Sequence, residues 1–158
     1  MKYLMTLLLA FSLIGCAHND VYQSSTKASG PKVIALEAPR LPWVMQIEGR
    51  LRDAGFQVQR FESTQTVTEA AGAGRVATYN QASAPYILRL QGEAGMSSMT
   101  RCFGGGFNFQ YISAELIDVR SNQTIGTYSG SGRSEGCPPL SGKLFTNITD
   151  MVAKAWAP

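Results

Sequence analysis

The chain has 158 residues, 44% hydrophobic and 16% charged, with a formal net charge of +3 and a mean hydropathy of −0.06. This is long enough for one globular domain with a real core, and the charge is too small and too evenly spread for nucleic acid. The single histidine, His18, lies ahead of the foldable region, so the domain lacks the imidazole of a Ser-His-Asp triad, a Cys-His pair or a His metal site.

Met1, Lys2 and Tyr3 form a short positive start, and Leu4 to Ile14 is an apolar run broken only by Thr6 and Ser12. Eleven residues are too few to span ~30 Å of hydrocarbon, which takes about 20. The length suits the apolar region of a secretory signal. Its end, Leu13-Ile14-Gly15-Cys16, resembles the lipobox of bacterial lipoproteins. That resemblance implies cleavage before Cys16, so that 1–15 is the signal peptide, with diacylglycerol on the Cys16 sulfur and acylation of its new amine. Acylation makes the protein membrane-anchored. Ala17 stands where an Asp favours inner-membrane retention, so the resemblance implies an outer-membrane anchor with the domain facing the periplasm. Residues 16–31 are expected to be the acylated cysteine and a flexible tether, polar and without apolar period. Fifteen such residues reach roughly 20 Å.

Residues 32–158 are expected to form a single domain. Lys32 to Glu37 is a short apolar run read as a strand. Pro42 suits the first turn of a helix, whose stripe is Val44, Ile47, Leu51 and Ala54. Gly55 stops it, and 56–61 alternates as a strand. Residues 62–84, rich in Thr, Ala and Gly, fit a weak helix or a loop equally. Tyr86 to Gly92 is a strand, and 93–106 a Met-, Ser- and Gly-rich loop. Phe107 to Val119 is the longest strand, and its shift in apolar parity predicts a bulge or burial on both faces. Thr124 to Ser134 is its partner, with Ser121-Asn122 as the turn and Asp118 hydrogen-bonding that turn. Ser141 is placed to cap a last helix with Leu144, Ile148, Met151, Val152 and Ala155 as its stripe. The order β-α-β-(α)-β-β-β-α gives an α+β two-layer sandwich, helices on one face of a mixed, mostly antiparallel sheet.

Three cysteines occur. With Cys16 committed to lipid, Cys102 and Cys137 remain, and an even remainder in an oxidising compartment reads as one disulfide. The hairpin supports it, because Cys137 comes to face residue 106 at its open end.

The remaining motifs carry little chemistry. Cys102-Phe103-Gly104-Gly105-Gly106 lacks the Lys and Ser/Thr of a P-loop and precedes a strand. Gly130-Ser131-Gly132 fails the spacing of a nucleophile elbow. Glu115 and Asp118, three apart on a strand, point to opposite faces. No enzymatic activity, metal or cofactor is expected. Trp43, Met96, Met99 and Phe103 are the candidate partner contacts, since Met and aromatic residues are enriched at interfaces.

Two phrases, Leu51-Arg-Asp-Ala-Gly-Phe-Gln-Val and Ala114-Glu-Leu-Ile-Asp-Val-Arg-Ser-Asn-Gln-Thr-Ile, resemble the helix-glycine-strand joint and the strand-turn-strand of small outer-membrane accessory lipoproteins. These are the auxiliary lipoproteins of ABC-type transport, the curli-secretion and penicillin-binding-protein-activator type domains, and small lipoproteins of conjugation and secretion machines. The resemblance spans residues 32–156 and implies an accessory or assembly factor of an envelope complex, bound to an envelope protein. The alternative is a binder of a small or lipidic ligand, which needs an apolar cavity between sheet and helices.

Overall fold

The computed structural model describes residues 19–61, 84–95 and 102–158. Six strands form one sheet: β1 (Asn19–Gln23), β2 (Val33–Glu37), β3 (Gln57–Arg60), β4 (Tyr86–Ala94), β5 (Asn108–Asp118) and β6 (Gln123–Arg133). Their spatial order is β1-β6-β5-β4-β2-β3. Strand β2 runs parallel to both β3 and β4, and the other pairings are antiparallel. Two helices, α1 (Pro42–Asp53) and α2 (Leu144–Ala155), share one core with the sheet. This is the expected α+β sandwich.

Local chemistry explains the boundaries. Pro42 opens α1, where its missing N–H costs nothing. At the other end Gly55 takes a φ of +85°. Its N–H donates to the Arg52 carbonyl at 2.9 Å, and that of Phe56 to the Leu51 carbonyl at 3.0 Å. This paired arrangement is a Schellman stop, and Phe56 then enters the core. The β5–β6 connection is a four-residue loop, Val119–Asn122, instead of a two-residue turn. The Asp118 carboxylate accepts from the N–H groups of Arg120 (2.8 Å) and Ser121 (3.4 Å), and Asn122 takes the left-handed conformation. Asp118 therefore pairs with Gln123. The parity change in β5 is a pair of register irregularities, at Phe109/Ile112 and Leu116/Ile117.

The core lies between sheet and helices. Ile34, Leu36, Leu88, Leu90, Ile112, Leu116 and Tyr128 face it from the strands. The helices contribute Val44, Ile47, Leu51, Phe145, Ile148 and Val152. Trp43, Phe107, Phe109 and Phe145 fill its centre, with Trp43 edge-on to Phe109 at 5.5 Å and Phe109 edge-on to Phe145 at 5.8 Å. A small second cluster, Ala35, Ala84, Ile87, Ile117 and Val119, sits apart from the first.

Two expectations give way. Residues 19–23 are not tether: they form β1, pairing Asn19 with Gly130 through to Gln23 with Gly126. The backbone of β6 would otherwise be an open edge, and β1 satisfies its hydrogen bonds without burying apolar side chains. That is why no apolar period marks β1 in the sequence. Ser141 does not cap α2. Its hydroxyl accepts from the Cys137 N–H at 3.0 Å. Glu135 caps instead, accepting from the N–H groups of Phe145 (3.1 Å) and Thr146 (2.7 Å) and from the Thr146 hydroxyl (2.6 Å). The reading of 62–84 as weak helix or loop falls almost entirely outside the described residues.

The Glu135 cap makes a pH prediction. Burial pushes its carboxyl up, but the hydrogen bonds from Thr146, its own backbone and Phe145 outweigh this and hold it below the ordinary 4.5. A depressed carboxyl stabilises fully above its unfolded value, and the contribution is lost as pH falls through the folded value. Glu135→Gln is expected to cost about 1–2 kcal/mol at neutral pH. Urea unfolding should show that gap closing as pH falls through and below the ordinary carboxylate range; a gap that persists in strong acid would show that the charge is not what caps the helix.

Candidate functional site

The described residues present two distinctive surfaces. The first is the end of the sandwich where β6 and β5 leave the sheet. The Cys102–Cys137 disulfide joins the segment before β5 to the segment after β6, across a sequence separation of 35. The two backbones touch directly, as the Gly106 N–H donates to the Gly136 carbonyl at 3.0 Å and the Ser134 N–H to the Phe107 carbonyl at 2.8 Å. The buried Ser134 hydroxyl accepts from the Phe107 N–H at 2.9 Å. A Cβ on Gly106 would lie 2.6 Å from the Cys137 sulfur, so the glycine run is what lets the loops close. Within it the Cys102 N–H reaches the Gly106 carbonyl, and the Gly105 N–H the Cys102 carbonyl. This tight turn projects Phe103 outward, at 107% exposure. On the partner loop Leu140 is 70% exposed, and Arg133 and Lys143 stand exposed on either side of that loop. Arg133, Leu140, Lys143 and Asn19 line one open depression of about 800 Å³.

The second surface is the sheet face turned away from α1 and α2. Strand pairing places Glu37, Arg89, Glu115, Thr127 and Tyr22 in one row across five strands. Arg89 bridges Glu37 at 3.0 Å and Glu115 at 3.3 Å, and Glu115 also accepts from the Thr124 hydroxyl at 2.5 Å. The three charged groups are more than a third exposed, so each pair contributes under ~1 kcal/mol. A neighbouring row holds Gln91, Ser113, Ser129 and Asp20. Together these rows line a depression of about 440 Å³. Its polar, hydroxyl-rich lining is carried on rigid strands.

The expected contact residues separate. Trp43 is 0% exposed, packed against Phe109 in the core, so it presents no surface to a partner. Its position directly after Pro42 turns it inward with the first turn of α1. Phe103 is fully exposed. Met96, Met99 and Cys16 lie outside the described residues. Cys102 and Cys137 form the expected bond. Leu140, Arg133 and Lys143 escaped notice in the sequence because a lone leucine after two prolines, and two cations ten residues apart, carry no periodic signal. Ser131 lies at the rim of the larger depression.

No protein-family model matches the chain, and neither does any curated protein. Among solved structures it is similar to the PelC dodecamer of Paraburkholderia phytofirmans, with 16% identity and a TM-score of 0.46 over 89% of this chain and 94% of that one. It is similar to lipoprotein GNA1162 of Neisseria meningitidis, with 20% identity and a TM-score of 0.40 over 78% and 96%. It is also similar to TolB of Acinetobacter baumannii, with 14% identity and a TM-score of 0.39 over 89% of this chain and 30% of that one. At these values the likenesses assign neither a family nor an activity.

The stapled end stands on its covalent link. Cutting a loop of 35 residues is expected to cost about 4 kcal/mol in the chain-entropy model. The Cys102→Ser/Cys137→Ser protein should therefore unfold at a clearly lower urea concentration than the parent. Adding a reductant should bring the parent down to the variant's midpoint. An unchanged midpoint in both experiments would mean that the glycine and Ser134 contacts alone hold the loops together.

Proposed function

We propose that the chain is a non-catalytic lipoprotein, anchored to the outer membrane through Cys16, that serves as an accessory or assembly factor of an envelope complex. The anchor rests on the Leu13-Ile14-Gly15-Cys16 motif and the short apolar run before it. The observation that carries the accessory role is the sheet face of Arg89, Gln91, Ser113, Glu115, Thr127 and Ser129, a depression in which the strands supply polar groups in fixed register. Protein interfaces are on average only about as apolar as the remaining surface, with a polar rim and roughly ten hydrogen bonds. A face of hydroxyls, an amide and a bridged arginine suits such a partner. Ligand binding between sheet and helices is disfavoured, because Trp43, Phe107, Phe109 and Phe145 occupy that space in mutual ring contact.

Photocrosslinking in living cells tests the reading. With a photoreactive residue at Ser113 or Ser129, the same envelope protein should be recovered from both positions, and not from Asp53 on the far face of α1. Cys16→Ser should move the chain from membrane to soluble fractions. A membrane-bound protein that yields no repeated neighbour from either position would overturn the accessory role.

A further inference from the structure

The anchor reading and the fold together fix which end of the domain meets the bilayer. Only three residue steps separate Cys16 from Asn19, where β1 begins. Fully extended, they span at most about 11 Å. Asn19 pairs with Gly130 near the end of β6, so the chain leaves toward its anchor at the disulfide-stapled end. That end carries Phe103 and Leu140, both projecting from loops held rigid by the Cys102–Cys137 bond. It also carries Arg133 and Lys143 beside Asn19 around the larger depression. The nearby carboxylate of Glu135 is engaged with the N-terminus of α2, while Asp20 and Glu93 belong to the sheet's polar face.

Resting on the anchor reading above, we infer that the stapled end is a membrane-docking face, with Phe103 and Leu140 entering the interfacial layer and Arg133 and Lys143 meeting anionic lipid headgroups. The chemistry is that of peripheral membrane binding: apolar side chains buried shallowly and cations drawn to anionic lipid. The two exposed apolar groups are separated by 37 positions in sequence yet stand on loops bonded to each other. A tether of ~20 Å would have left the domain free to tumble; a strand that starts three steps from the lipid does not.

The test is depth-dependent quenching. The full chain, produced in bacteria, is reconstituted with vesicles of phosphatidylethanolamine and phosphatidylglycerol, with and without bromine on the acyl chains, and recovered by flotation. Bromine should lower the added emission of Phe103→Trp and of Leu140→Trp by about half, measured against the parent with its native Trp43 and Trp156. It should leave Ser121→Trp, at the opposite end of the β5–β6 hairpin, unchanged. Chains that float without quenching at positions 103 and 140, or with equal quenching at 121, overturn the docking face and leave the anchor standing. Chains that fail to float overturn the anchor and the docking face with it.

Discussion

The close approach of two backbone segments, 102–106 and 134–142, organises much of this molecule. The segments meet because Gly106 has no Cβ to strike the Cys137 sulfur and because the Ser134 hydroxyl satisfies the buried N–H of Phe107. The disulfide then makes the meeting permanent. Phe107 is thereby set at the head of β5, in ring contact with Phe109 and Phe145. Glu135, one residue further along, is delivered to the first turn of α2. One loop contact therefore fixes the start of β5, the aromatic centre of the core and the N-terminus of the second helix.

The aromatic centre is where α1 and α2 meet the sheet. Trp43, Phe107, Phe109 and Phe145 are large, and each reaches across the sheet–helix gap to another ring. Edge-to-face contacts contribute about 0.5–1.5 kcal/mol beyond their area, and they set the spacing of the two layers. On the opposite face the same strands present Arg89, Ser113, Glu115 and Thr127, alternating with the buried positions as strand geometry requires. The polar face is thus a consequence of the period-two pattern that builds the core. Its order across five strands comes from register, not from any motif in one strand.

This division shows what the sequence carried. Elements with apolar periodicity were legible: the stripes of α1 and α2, the joint at Gly55, the alternation of β3 to β6 and the irregularity in β5. The disulfide was legible because the hairpin brings both cysteines to its open end. Strand β1 was not legible, because an edge strand paired through its backbone needs no buried side chains. Trp43 was misplaced because an aromatic beside a helix start reads alike whether it faces core or partner. The polar rows and the stapled end were beyond reach, since each joins residues scattered across the chain that only the pairing of strands assembles.

The strand at residues 19–23 changes the physical meaning of the anchor proposed at Cys16. A flexible linker separates the location of a domain from its orientation: the lipid sets the membrane, and the domain samples many poses. A strand hydrogen-bonded along β6 removes that freedom, so a lipid on Cys16, as proposed above, would set an orientation. With the stapled end toward the bilayer, the strands point away from it. Strand β5, with its 11 residues, is about 36 Å long at roughly 3.3 Å per residue, which on the proposed anchoring would set how far the domain stands from the membrane. The polar sheet face stands sideways to the membrane at that height. On the proposed reading, a partner docking there would be a neighbour alongside, itself held at or near the same surface. Two molecules held at one membrane meet at a raised effective concentration, as linked modules do. On the proposed reading, a polar interface too weak to hold two freely diffusing proteins would suffice between two proteins held at one membrane.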